Sequence, residues 1–376
     1  MSTRPDPEST SADHSDSSTL VVDIHVLACD HGDTILLHLP GNVWILIDCN
    51  LPKAGGIRDR FFEFVKSNEI ERLDYVVQTH PDLDHFDGMT EVLTYFTSKK
   101  RSVGYWCDGG VNPQQIQALV FPDSITKKRY AALHRTVDEF LGAGTFDYHE
   151  LKEGHQPVYP KEYKGQVELY PIAPNAQRNR TIQRGNAARM AENPAAKLAS
   201  NELSVVLVLH VQGGDEYCNI LLAADADKEA TDLALKAWKA EAEELNCDAG
   251  FDAIKIPHHG SGEEDSYSPD LCRVRREDVD NTAAVVSAGR REGLPSGRVL
   301  SDYLDEGWTI LITTTRHAPG AFDRPMELAD RGEGREITFM RHDIRVTWSP
   351  DEGLEWGPPE AVIGHDDYLA DYDEWP

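Results

Sequence analysis

The sequence predicts an α+β fold in which two β-sheets pack face to face and carry helices on their outer surfaces. Two observations lead there. Apolar or alternating runs of strand length recur from residue 20 to about 350, and they fall into two successive sets with amphipathic helical stretches among them. The first set is "LVVDIHVLA" (20–28), "TILLHL" (34–39), "VWILID" (43–48), "DYVVQT" (74–79) and "SVGYWC" (102–107), with helical periodicity near 57–67, 86–97 and 129–141. The second is "QVELYPI" (166–172), "LSVVLVLHV" (203–211), "YCNILLAA" (217–224), "DAIKIP" (252–257), "AAVVSA" (283–288) and "WTILITT" (308–314), with helical segments at 227–245 and 297–306. Beyond them, "REITFMRHDIRVTWSP" (335–350) reads as an added C-terminal hairpin about His342-Asp343.

Composition limits the function classes. The apolar fraction is 40 %, and the longest apolar run, "LSVVLVLHV", is about half of the ~20 residues a membrane helix needs. Residues 1–19 are polar and Ser-rich with no apolar stretch, which reads as a disordered lead and not a signal peptide. Six cysteines (29, 49, 107, 218, 247 and 272) contain no CxxC pair, so reduced thiols and a cytoplasmic location are expected. The net charge of −28 is uneven: residues 350–376 hold nine acids and no Lys or Arg, whereas 177–197 hold five basic residues and one acid. An acidic body disfavours long nucleic acid, whose binding needs many phosphate contacts, but leaves room for a small anionic substrate or a short strand at a local positive mouth. The acid-and-aromatic tail, 351–376, suits docking on a basic protein partner.

One stretch carries the chemistry. "VVQTHPDLDHFDGM" sets His80, Asp82, Asp84 and His85 within six residues, directly beyond a strand. A helix cap would need one short polar side chain. Four convergent imidazoles and carboxylates suit Zn, Fe or Mn. Distant partners end other strands: Asp225 in "NILLAADAD" and His258-His259-Gly260-Ser261 in "DAIKIPHHGS". Three such groups at the same place relative to a strand make a metal site.

"THPDLDHFDG" resembles the His-x-His-x-Asp-His signature of the metallo-β-lactamase superfamily, with Asp82 where the second histidine usually stands. "VWILIDCN", ending in Asp48, is similar to that superfamily's first motif, "NILLAADAD" to its bridging-aspartate motif and "IKIPHHGS" to its last histidine motif. With "SNELSVVLVL" and "AVVSAGR", these resemble the soluble hydrolase domain of the competence protein ComEC and its free-standing relatives. The resemblance spans about residues 20–317. It implies a four-layer αββα sandwich with the site along one edge, followed by an extension with the hairpin (318–350) and the acidic tail (351–376). It also implies two divalent ions, Zn or Mn, holding a hydroxide between them. His80 and Asp82 would serve one ion, Asp84 and His85 the other, and Asp225 would bridge. The last ligand is His259 or His258. His259 is preferred, because Pro257 and His258 can finish the strand while the next side chain turns inward. Asp84 and His258 then have catalytic roles, and Asp33, Asp48 and Asn201 stand just behind the ligands.

Departures are specific. The branch usually carries Gly-Gln-Gly-Asp near its start; "CDHGD" keeps Gly32 and Asp33 and adds Asp30 and His31. Leu294 and Ser296 of "GLPSGR" stand where a Gly-His-Pro-His element is usual, and the third-motif histidine has only His155 and His317 as nearby candidates. Phosphodiester hydrolysis is the first expectation, with Arg178, Arg180 and Arg290 as phosphate contacts or else as solvated surface. Lactone, thioester or amide hydrolysis on the same site, or a non-catalytic metal-binding module, are the rival expectations.

Overall fold

The computed structural model describes residues 20–29, 31–52, 56–98, 100–110, 124–192, 200–279, 281–288, 294–314, 337–340 and 343–357. Strands among them, in chain order, are β1 (Val22–Val26), β2 (Ile35–Leu39), β3 (Val43–Ile47), β4 (Arg72–Gln78), β5 (Ser102–Asp108), β6 (Asp147–Glu150), β7 (Val167–Ala173), β8 (Val206–Gly213), β9 (Glu216–Leu222), β10 (Ala253–Lys255), β11 (Ala283–Ala288), β12 (Thr309–Thr314), β13 (Ile337–Met340), β14 (Ile344–Ser349) and β15 (Gly353–Gly357). They form an eight-stranded sheet, β15-β14-β1-β2-β3-β4-β5-β6, and a seven-stranded sheet, β13-β12-β11-β10-β9-β8-β7.

Alternation along the strands builds three apolar layers. In β3, Ile45 and Ile47 face the other sheet, while Trp44 and Leu46 face helices. In β8, Leu207, Leu209 and Val211 face inward, and Val206 and Val208 face outward. Helices Ile57–Ser67, Met89–Phe96 and Ser124–Gly142 cover the outside of the first sheet. Helices Lys228–Leu245 and Gly297–Asp305 cover the outside of the second, completing an αββα sandwich. Each helix buries a stripe: Ile57, Phe61 and Val65 in one, and Ala230, Ala234, Trp238 and Ala242 in another. Asp227 starts the latter helix by accepting from the Ala230 amide at 2.7 Å, and Asn246 ends it in the left-handed conformation.

The C-terminal hairpin is present, but its arms are β14 and β15, paired Ser349 opposite Gly353. The two runs expected to form it separate: β13 lies parallel to β12 in one sheet, and β14 lies antiparallel to β1 in the other. An edge strand was open in each sheet, and pairing there buries Ile344, Val346 and Trp348 between the sheets. Strand β14 thus adds Ile344, Val346 and Trp348 to the core between the sheets, and residues 351–357 of the tail belong to the hairpin turn and β15. Residues 358–376 lie outside the described residues, as do 1–19. Among the described residues, no helix is long and apolar enough to cross a membrane.

Candidate metal centre

Strands β3 to β6 run parallel in one sheet and β9 to β13 in the other, so their carboxyl ends gather loops at an edge of the sandwich. Asp48 follows β3 with φ 55°. Its buried carboxylate accepts from the Thr79 amide at 2.9 Å and the Thr79 hydroxyl at 2.6 Å. The same group lies 2.7 Å from His85 Nδ1 and aims Nε2 of that ring away from it. His80 follows β4 and is held by the Thr79 hydroxyl at its Nδ1, 3.0 Å away. Asp82 occupies the cap position of the one-turn helix Leu83–Phe86 yet makes no side-chain cap bond, so capping does not explain it. Asp225 comes two residues after Ala223, beyond a left-handed Ala224 (φ 48°). His258, His259 and Gly260 all have positive φ, 48°, 51° and 75°, a costly run that turns the His259 ring inward.

The side chains converge. Asp225 Oδ2 lies 3.9 Å from His80 Nε2, and its Oδ1 lies 3.3 Å from His85 Nε2 and 3.5 Å from His259 Nε2. His80 Nε2 is 3.9 Å from Asp82 Oδ2, and His259 Nε2 is 3.7 Å from Asp84 Oδ2. The Nε2 atoms of His80, His85 and His259 and Oδ1 of Asp225 are all buried and none makes a hydrogen bond. Separations of 3.3–3.9 Å exceed ordinary hydrogen bonds. They match ligand atoms sharing one ion: two donors about 2.1 Å from a tetrahedral centre stand about 3.4 Å apart. Imidazole nitrogen with carboxylate oxygen suits a first-row divalent cation, so the residues present fit such ions.

Burial pushes the Asp225 carboxyl up, but His259, His85 and His80 together hold it well below the usual range. Burial disfavours a charged His85, and Asp225 and Asp48 overcome it, raising that ring well above an ordinary histidine. Burial lowers His259 to about 3, against the pull of Asp225 and Asp33, leaving it neutral and ready to donate a lone pair. Burial, with Asp225 and Asp82 nearby, lifts Asp84 to about 7 in spite of His85.

Behind His259 is a network that sequence reading passed over in part. Asp33 Oδ1 lies 3.9 Å from His259 Nδ1, is 3.0 Å from Lys255 Nζ and accepts from Ser287 Oγ at 2.7 Å. Burial opposes ionisation of Asp33, yet Lys255, His259 and His85 together outweigh it and hold the carboxyl at about 2. Lys255 is 2 % exposed; a lysine in mid-strand within "DAIKIP" was the available signal, since a buried ammonium demands an anion.

Other expected residues are placed differently. Asn201 does not stand behind the ligands; its Nδ2 meets His258 Nε2 at 3.3 Å. His258 is half-buried beside the cluster and outside it. Arg178, expected as a phosphate contact, is 8 % exposed and is committed to Asp227 at 2.9 Å and Glu229 at 2.8 Å. It faces inward on the helix Ala176–Glu192 and ties that helix to the start of Lys228–Leu245. Arg180 is exposed on the same helix, while Arg290 and His317 lie outside the described residues. His155 is exposed, with Nδ1 3.0 Å from the Glu150 carbonyl, remote in role from the cluster.

No protein-family model matches the chain, and no curated protein does. Among solved structures it is similar to the metallo-β-lactamase fold protein YhfI from Bacillus subtilis, at 13 % identity and a TM-score of 0.41 over 87 % of this chain and 99 % of that one. It is also similar to a diphosphatase from the PhnP family, at 8 % identity and a TM-score of 0.40 over 85 % of this chain and 94 % of that one. A third is the hydrolase AbOPH of the β-lactamase superfamily, at 14 % identity and a TM-score of 0.31 over 63 % and 77 %. These are distant likenesses of fold, and the αββα assignment stands on this chain's own sheet order and layers.

Proposed function

We propose that this protein is a divalent-metal-dependent hydrolase acting on phosphodiester bonds, with two cations held side by side. The observation that carries this reading is the set of buried, unbonded donors, three imidazole Nε2 atoms and Asp225 Oδ1, spaced as ligands are spaced. Asp225 presents its two oxygens to two different groups, Oδ2 toward His80 and Oδ1 toward His85 and His259, as a bridging carboxylate would. Zn or Mn bound there would lower the proton affinity of a water and stabilise charge on the attacked group.

The chain's own residues do the rest. Asp48 fixes the His85 ring from behind, and the Asp33 carboxylate lies behind His259, 3.9 Å from its Nδ1. Asp84, with a side chain 28 % exposed, would hold a proton of the attacking water in this reading. His258, within 3.3 Å of Asn201 Nδ2, would return a proton to the leaving oxygen in this reading. An anionic substrate is supported by the helix Ala176–Glu192, which presents Arg180, Arg184 and Arg189 to solvent on a body of net charge −28. That helix reaches the strand ends through Asn179, whose Nδ2 donates to the Gly109 carbonyl at 2.8 Å.

Elemental analysis of reconstituted protein should find close to two equivalents of transition metal, reduced in Asp225→Ala. A panel of phosphodiester, lactone, thioester and amide substrates with added Mn²⁺ or Zn²⁺ should show turnover of the phosphodiester. Absence of metal after reconstitution would end the hydrolase reading. Metal with turnover of another class would replace the bond, and metal with no turnover at all would favour a binding module.

A further inference from the structure

The loop between β1 and β2 brings a further imidazole to the cluster. His31 Nε2 lies 3.2 Å from Asp84 Oδ2, and its ring centroid is 4.3 Å from that of His259. One donor atom from each of His31, Asp84 and His259 falls within 4.8 Å of the others. His259, fully buried, points an unbonded Nε2 into that space. We propose that His31 is an additional metal ligand, through Nε2, at the position of Asp84 and His259. This rests on the two-cation reading above.

The backbone holds His31 there by construction. Gly32 has φ 127°, and a Cβ on it would sit 2.2 Å from the Asp84 carbonyl oxygen and 2.4 Å from Asn50 Nδ2. No other residue allows this approach. Asn50 Nδ2 donates to the carbonyls of Cys29 and His31, and the Asn50 amide is held by Thr34 Oγ1 at 2.8 Å. The Asp33 amide donates to the Asp84 carbonyl at 3.2 Å. The loop is thus pinned to the very segment that carries Asp84, which fixes the distance between the two side chains.

The consequence is unequal positions. His31 adds an imidazole to the position of Asp84 and His259, next to His85, Asp225 and His259, whereas His80, Asp82 and Asp225 make the other rich in oxygen. The first suits Zn²⁺ or Co²⁺, the second a harder ion such as Mn²⁺. His31 therefore strengthens the position away from His80 and Asp82.

Metal-free protein is titrated with Co²⁺ against a chelator, following visible absorption and the shifted exchangeable imidazole N–H resonances in proton NMR. His31→Gln, which keeps a hydrogen-bond donor for Asp84, and His31→Ala are compared with wild type, with far-UV circular dichroism of the metal-free forms as the folding check. We expect both variants to weaken the tighter Co²⁺ equivalent at least ~10-fold, change its absorption band and lose one shifted N–H resonance. Wild-type affinity and spectra in both variants would overturn the ligand role and leave His31 as a partner of Asp84. Rescue by His31→Gln alone would do the same. A wild type that takes up no Co²⁺ would overturn the metal reading itself.

Discussion

Asp48→Asn separates orientation of a ligand from ligation itself. The carboxylate is 1 % exposed and has three contacts: the Thr79 amide, the Thr79 hydroxyl and His85 Nδ1, at 2.9, 2.6 and 2.7 Å. Asparagine keeps the shape but has one oxygen. The Thr79 amide can only donate, so that oxygen must face it, and the new NH₂ faces His85 Nδ1. His85 must then keep Nδ1 bare and carry its proton on Nε2, the atom aimed at Asp225. Loss of such an orienting carboxylate costs metal affinity about 10- to 100-fold, or roughly 1.4–2.7 kcal/mol. At free metal a thousand times the wild-type Kd, metal-linked stabilisation should fall from about 4.1 kcal/mol to about 2.7 kcal/mol for the tenfold case. Chelator competition gives the affinity, and denaturant melts with and without metal give the linkage. Equal Kd values, with the metal-free variant folded, would refute the claim that Asp48 sets the His85 tautomer.

Four further outcomes are expected. His259→Ala should lose metal and activity together, whereas His258→Ala should keep metal and lose mainly kcat; the reverse pattern in elemental analysis would exchange their roles. Arg178→Ala should lower stability by about 1–3 kcal/mol in urea melts, since it strips hydrogen-bonded charge from Asp227 and Glu229, while Arg180→Ala should leave stability alone and raise KM for anionic substrates. Burial between Trp44 and Phe64 holds His25 near neutral, with its pKa lowered to about 4. The folded state binds fewer protons than the unfolded one, so stability is full above pH 6.5 and declines as pH falls toward 4, by about 3 kcal/mol; His25→Phe should show that much less decline in melts at the two ends. Truncation after Ser349 should destabilise the protein by removing β15 and buried Leu354, whereas truncation after Gly357 should leave melts unchanged and raise turnover of anionic substrates at low salt; equal turnover at low and high salt would exclude tail inhibition.

Much of the site was readable because each group follows an apolar run that ends abruptly in Asp or His: Asp48, His80 to His85, Asp225 and His259. Strand length and alternation also placed the long elements. What escaped depends on contacts between remote segments. Arg178 reads as surface because its helix has no apolar stripe; its buried face holds Arg178, Asn179 and Asn186 with a single apolar Ile182, so periodicity of hydrophobicity is nearly silent there. Lys255 reads as an oddity until Asp33 appears across the sheet interface. His31 was visible as a departure, but its direction is fixed by how closely Gly32 approaches Asp84. Runs 337–340 and 344–349 were visible as strands, yet nothing local says that they enter different sheets.

The pairing of β1 with β14, Val22 opposite Trp348, also governs how the molecule is made. Nearly the whole chain lies between these partners, so β1 emerges from the ribosome long before its outer neighbour exists. Closing so large a loop is slow, and meanwhile a buried-type strand offers an open, adhesive edge. The candidate site also forms only when the two sheets meet, because Asp48 and His80 ride on one and Asp225 and His259 on the other. Refolding from denaturant should therefore be limited by docking of the sheets, with cation uptake following it.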